Sequence, residues 1–164
     1  CITGAQGVST PRYAPEAILG QLHDELAAKG HLHRRVTLGS LCDAYPSVEA
    51  ELGLTRIVLQ ELRRMVRPVT VITKGLAVRR DIDLLRHRWN RVVVSLSSVD
   101  EQAVARVEPH APTPSERLEL IHDLADAGVQ VEVSMTPWIP GVSDAAAMIR
   151  GQVIVVDGGL SLVR

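Results

Sequence analysis

Five short runs rich in β-branched residues, separated by stretches of helical periodicity, constrain this chain more than any other feature. The runs fall near residues 35–40, 69–73, 91–96, 129–135 and 153–156. Between them apolar residues recur at three- and four-residue intervals. Ile18, Leu19, Leu22 and Leu26 form one such face, and Val58, Leu59, Leu62, Met65 and Val66 a second. Leu118, Leu120, Ile121, Leu124 and Ala127 form a third. Strands that alternate with helices must cross over and return parallel, so the pattern gives βα units and a parallel sheet. The triplet Val92, Val93 and Val94 fits a strand buried on both faces. The pattern alone leaves both an open doubly wound sheet and a partial barrel standing.

Stop and start signals refine the elements. Pro15 and Glu16 open the first helix and Gly30 closes it. Thr55 is placed to cap the second, which is expected to run to Val66. Asp81 is placed to cap a short helix that carries Ile82, Leu84, Leu85 and Trp89. Ser98 with Glu101, and Thr113 with Glu116, have the spacing of capping boxes. A Pro-rich turn at 136–141 and a short Ala-rich helix from Ser143 precede the last strand.

The totals exclude several classes. The 18 basic and 19 acidic residues balance, which gives no pull toward nucleic acid or membrane, although nucleic acid stays open as a partner. No apolar run approaches the ~18 residues of a membrane span, and no signal peptide is visible, so a cytoplasmic setting is the expectation. Without Phe, and with aromatics at 2%, the core must be built from Leu, Val, Ile and Ala. The whole chain reads as a single α/β domain, and its start at Cys1 suggests that something precedes it.

The strand ends share a chemistry. The first delivers Ser40, Cys42 and Asp43, and the second Thr73 and Lys74. The third delivers Ser95 and Ser97, and the fourth Ser134 and Thr136. Parallel α/β proteins bind ligands at this end of the sheet. Small hydrogen-bonding groups around one ammonium suit a ligand that carries a carboxylate and hydroxyls. Each Ser or Thr alone is as well explained by a turn or cap; recurrence at four ends is what points to a site. His31 and His33 would share a strand face, but with no third ligand nearby they read as solvated loop residues. The arginines at 63, 64, 67, 79, 80, 86, 88 and 91 read as solvated helix faces, with a phosphate patch the lesser alternative.

Two resemblances follow. Leu38-Gly39-Ser40-Leu41-Cys42-Asp43-Ala44-Tyr45-Pro46-Ser47-Val48-Glu49 resembles the G-x-x-T-D-P-Y-Q-P-x-E signature of radical SAM proteins of the spore photoproduct lyase-like type. Leu54-Thr55-Arg56, Val71-Ile72-Thr73-Lys74, Arg80 to Leu85, Val94-Ser95-Leu96 and the stretch from Glu108-Pro109 to Arg117-Leu118 continue it in register. Thr136-Pro137-Trp138-Ile139-Pro140-Gly141 resembles that family's A-P-x-I-P-G, so the likeness spans about residues 13–144. It implies a partial (β/α) barrel and S-adenosylmethionine cleaved at a [4Fe–4S] cluster held by C-x3-C-x2-C, as in lyase-like radical chemistry. It further implies that Cys42, Asp43, Lys74, Ser95 and Thr136 line the S-adenosylmethionine pocket. Cys42 stands where the family has Thr or Ser, and the cluster motif is absent. Cys1 would be the last of the three cluster cysteines if the others precede it. One thiolate cannot hold a cluster, so the chain as given is expected not to cleave S-adenosylmethionine.

The second likeness is confined to residues 149–164. The run from Ile149 to Ser161 resembles the C-terminus of short-chain dehydrogenases/reductases. Their glycine loop is incomplete at Val8 and Thr10, and neither Tyr13 nor Tyr45 is followed by the required Lys. The tail is therefore read as a structural last strand.

The reading that results is a radical SAM-type domain, incomplete at its cluster, with a rim for a small adenosyl ligand. A Rossmann-like reductase module and a non-catalytic α/β chimera are the alternatives. An uncovered edge of the parallel sheet would favour self-association.

Overall fold

The computed structural model describes residues 15–28, 35–135, 143 and 154–155. Their elements alternate as the pattern requires: helix α1 (Pro15–Ala28), strand β1 (Val36–Leu38), α2 (Glu49–Leu52), α3 (Leu54–Arg64) and β2 (Val69–Thr73). A 3-10 turn (Leu76–Asp81) leads into α4 (Ile82–Leu85), β3 (Arg91–Ser95), α5 (Glu101–Val107), α6 (Pro114–Asp126), β4 (Val131–Ser134) and β5 (Ile154–Val155). The expected lead-in, the Gly30 stop, the His31–His33 pair, the turn at 136–141 and most of the tail lie outside the described residues.

All five strands are parallel and lie in the order β1-β2-β3-β4-β5. A doubly wound sheet reverses its order at a switch point; this one advances one strand at a time. With right-handed crossovers, that order puts the helices on one face and leaves the other as the inside of a barrel wall. The fold is thus α/β of the partial-barrel kind, and strand order resolves what the pattern could not.

The register sorts the side chains, because neighbours along a strand point to opposite faces. Val71, Val92 and Val131 form one cross-strand row, and Thr73, Val94 and Val133 the next. On this face Val69, Val71, Val92, Val94 and Val133 join Leu59 and Leu62 of α3, Leu85 of α4, and Leu120 and Leu124 of α6 in one core. Val93 is buried as well, so the triplet is covered on both faces. The opposite rows carry Thr70 beside Arg91, Ile72 beside Val93 and Glu132, and Ser95 beside Ser134.

Several caps differ from their expected form. The Thr113–Glu116 box closes as predicted, with Thr113 Oγ1 accepting from the Glu116 amide and the Glu116 carboxylate from the Thr113 amide. Thr55 does not cap α3. Its hydroxyl donates to the Ala44 carbonyl, and the buried Glu49 carboxylate accepts from the amides of Leu54 (3.1 Å) and Thr55 (2.9 Å) instead. Asp100, not Ser98, caps α5 by accepting from Gln102 and Ala103. Asp81 precedes α4 without giving it a side-chain cap, and Trp89 lies beyond that helix. Val66 leaves the apolar face altogether. It is 71% exposed at φ 54°, the left-handed residue of a Schellman ending in which Arg67 N bonds Leu62 O at 2.8 Å.

Candidate functional site

The rim at the C-terminal ends of β1, β2 and β3 is built by close backbone approach. Gly39, just past β1, has φ +93°, and a Cβ there would lie 2.0 Å from the Ile72 carbonyl oxygen of β2. Gly75, just past β2, leaves 2.2 Å between its own would-be Cβ and the Tyr45 carbonyl oxygen. Only residues without a Cβ let the β1 loop fold down onto β2.

That loop delivers Asp43 to the end of β2. One carboxylate oxygen accepts from the Tyr45 amide (2.8 Å) and the Thr73 hydroxyl, the other from the Lys74 amide (2.9 Å). Thr73 Oγ1 in turn accepts from Gly75 N at 2.8 Å. Asp43 therefore fixes the backbone of the residue whose side chain carries the charge. Among the predicted site residues, Asp43 and Lys74 are joined directly.

Lys74 follows Thr73, whose partner in β3 is Val94, so its register neighbour is Ser95. Its ammonium is paired with Glu108 Oε1 at 3.0 Å. The other Glu108 oxygen accepts from Arg117 NH2. Arg117 is wholly buried; its NH1 donates to the Ser95 carbonyl (3.0 Å) and its Nε to the Pro112 carbonyl (2.8 Å). A chain of polar contacts thus runs from Lys74 through Glu108 and Arg117 to the backbone of Ser95.

The two arms of Glu108 are unequal. Breaking a buried ion pair costs about 3–5 kcal/mol because a charge is left uncompensated, and Arg117 has 0% side-chain exposure. A solvated pair contributes about 0–1 kcal/mol, and Lys74 is 36% exposed. Burial pushes the Glu108 carboxyl upward, but hydrogen bonds and charge from Arg117 and Lys74 outweigh it and hold it below the ordinary 4.5. Glu108 is an anion fixed on one side and exchangeable on the other.

Glu108 and Arg117 were not singled out for any role in the sequence. They sit 34 and 43 positions beyond Lys74, and only their place in the quoted run of the resemblance marks them. Ser97, which the strand-end reading did single out, is buried with a hydroxyl that has no hydrogen-bond partner. The Cys42 side chain is exposed on the same loop. Cys1 and Thr136 lie outside the described residues. No set of three or more potential metal ligands converges among the described residues. With two cysteines in the sequence, the residues present do not fit a cluster that needs three thiolates. No helix among the described residues is long and apolar enough to cross a membrane.

Residues 1–149 match the family model described as the Radical SAM superfamily. The chain is 30% identical over 128 residues to an uncharacterized protein of Mycobacterium bovis, an alignment that covers 76% of this chain and 38% of the relative. It is 24% identical over 127 residues to an uncharacterized protein of Methanocaldococcus jannaschii, covering 76% of this chain and 48% of that one. Over 70 residues it is 33% identical to an uncharacterized protein of Acidianus two-tailed virus, covering 42% and 23%. The chain thus spans less than half the length of these relatives.

Proposed function

This chain belongs to the radical SAM superfamily, and on that premise we propose that its rim is a binding site for S-adenosylmethionine. The observation that carries the reading is the convergence of Lys74, Ser95 and the Asp43 clamp on the ends of three adjacent parallel strands. Lys74 supplies the charge for the methionyl carboxylate. Ser95, on the barrel side of β3, supplies a hydroxyl for the ligand. Asp43 acts mainly through the backbone of Lys74, since its oxygens already accept three hydrogen bonds. Cys42, exposed on the β1 loop, belongs to the proposed lining, and so does Thr136, which lies outside the described residues. Bound S-adenosylmethionine would supply the adenosyl group for radical chemistry in a protein that also holds a cluster; no step through a cluster is assigned to these residues. β1 ends the sheet among the described residues, and an edge left uncovered there would favour pairing with a second copy.

A calorimetric titration with S-adenosylmethionine, and separately with NADPH, tests the reading. Removal of a hydrogen bond to a charged group costs about 1.5–3 kcal/mol, so Lys74→Ala should weaken S-adenosylmethionine binding by about tenfold or more. Binding that is indifferent to Lys74→Ala would remove the rim from the site. NADPH binding alone would favour the reductase alternative.

A further inference from the structure

At the opposite end of the sheet from the rim, a cleft opens where α3 ends and where β2 and β3 begin. Its floor is apolar, built from the buried Leu59, Val69 and Leu84. One wall is the ending of α3, with Arg63, Val66 and Arg67; the other is the turn before β3, with His87, Trp89 and Asn90. Backbone contacts fix both walls. The Schellman ending keeps Val66 at φ 54° with its side chain in solvent. Across the cleft, Arg35 NH1 donates to the Trp89 carbonyl at 2.7 Å. Asn90 accepts from the Val69 amide at 3.0 Å and donates to the Leu84 carbonyl at 3.1 Å. The cleft is therefore preformed, with two large apolar side chains, Val66 and the 43% exposed Trp89, at its mouth.

The charged residues that line it are of one sign, and no acidic residue is among them. Arg63 is exposed and makes no hydrogen bond or ion pair among the described residues. Asp83 feels its charge, but that carboxylate is held by Arg56 at 2.9 and 3.0 Å. Arg88 lies over the Trp89 ring at 4.9 Å, and His87 meets the same ring edge-on at 5.2 Å. The complementary occupant is an anion with an apolar part. Size chooses between the anionic classes. The cavity holds about 60 Å³, less than half of the roughly 150 Å³ that admits a benzene ring. A nucleobase does not enter it, and Arg88 covers a face of Trp89 on which a base would stack. The branched tip of one aliphatic side chain does fit.

We propose that this cleft docks an acidic segment of a partner protein, which sets one leucine-like side chain on the floor and carboxylates against Arg63, Arg67 and Arg88. An apolar anchor in a pocket ringed by charge is the common form of such a contact. No residue of the rim takes part, so the inference stands or falls apart from the S-adenosylmethionine reading.

Fluorescence anisotropy on the full chain tests it, with a labelled peptide that carries one leucine between two runs of aspartate. The peptide should bind, and added salt should weaken it. Replacing its leucine by alanine should cost about tenfold or more. Arg63→Glu, a change at an exposed position, should weaken it about fivefold and improve binding of a peptide whose leucine lies between lysines. The indole N–H resonance of Trp89, assigned through Trp89→Phe, should shift as the aspartate peptide is added. Peptide comparison and resonance use the wild-type chain, so they decide the matter even if Arg63→Glu folds poorly. Lack of binding, equal affinity for the leucine and alanine peptides, an indifferent Arg63→Glu or an unmoved Trp89 resonance would each overturn the proposal. Tighter binding of an oligodeoxythymidine of matching charge would give the cleft to nucleic acid instead. A Trp89 resonance that moves with protein concentration alone would give it to a second copy, and either result overturns the proposal as well.

Discussion

Two carboxylates in this chain each sit between two cations, and their surroundings give them different work. Asp81, on the helix side of the sheet, is wholly buried. It accepts from Tyr45 OH (2.8 Å), Arg56 NH1 (2.7 Å), and Arg80 Nε and NH2 (3.1 and 2.9 Å). Both arginines continue outward, Arg56 onto Asp83 at 2.9 and 3.0 Å and Arg80 onto Glu49 at 2.9 Å. That network ties the β1 loop, the α2–α3 junction and the 3-10 turn together with every charge answered. Glu108 has one such arm, to Arg117, and one to a lysine that water reaches. Two guanidinium groups, one of them bidentate, lock a carboxylate; one guanidinium and one ammonium on a flexible stem leave it half free. The first arrangement is architecture. The second, on the proposed reading, is where a ligand would enter.

Substitutions should separate them. Asp81→Ala leaves the buried Tyr45 hydroxyl without its acceptor and takes one of two carboxylates from each guanidinium, and should cost about 3–5 kcal/mol in urea unfolding. A loss below about 1 kcal/mol would mean that the network is not structural. Gly75→Ala strikes both regions, because Gly75 N bonds Thr73 while its open side lies against the Tyr45 carbonyl. Crowding of this kind costs about 1–3 kcal/mol, and S-adenosylmethionine binding should fall with stability. A neutral result would show that the loop and strand can part without harm.

Acid should act on both carboxylates in the same sense. Burial alone would raise Asp81, yet the hydrogen bonds from Arg80, Arg56 and Tyr45 hold it below the ordinary 3.8. Glu108 is likewise held below 4.5. A carboxyl depressed in the folded state binds fewer protons there than in the unfolded chain. Its stabilisation is therefore whole above the ordinary value and declines as pH falls below about 4.5, by no more than about 1.4 kcal/mol per pH unit for each group. Unfolding midpoints between pH 7 and 3 measure this, and Asp81→Ala should flatten the curve more than Glu108→Gln. The smallest effect belongs to Lys74→Ala, which should change stability by less than about 1 kcal/mol. A larger loss would make Lys74 as structural as Asp81 and erase the distinction.

Much of the frame was legible because it is local. The strand at 69–73, the valine triplet and the Thr113–Glu116 box follow from side-chain shape and near-neighbour hydrogen bonding. Lys74 was legible as the charge at a strand end. Thr55 and Val66 were misjudged for a shared reason. A cap can be taken over by a carboxylate several residues away, as Glu49 does, and a β-branched residue can be held at positive φ by the backbone bonds of a helix ending. Asp81 read as a helix cap because nothing nearby announced Tyr45, 36 positions earlier.

The sequence by itself determined that strands and helices alternate, which residues can be apolar core, and that the strand ends carry polar groups with one lysine among them. Those outcomes depend on periods of two and of three to four residues, which any stretch of chain displays. Tertiary structure decided the order of the strands, and with it a barrel wall rather than a doubly wound sheet. It also decided that Arg117 would be buried behind Glu108, and Glu108 set against Lys74. Contacts between residues 9 and 34 positions apart exist only once the crossovers have closed. No local preference encodes which distant charge will be waiting there.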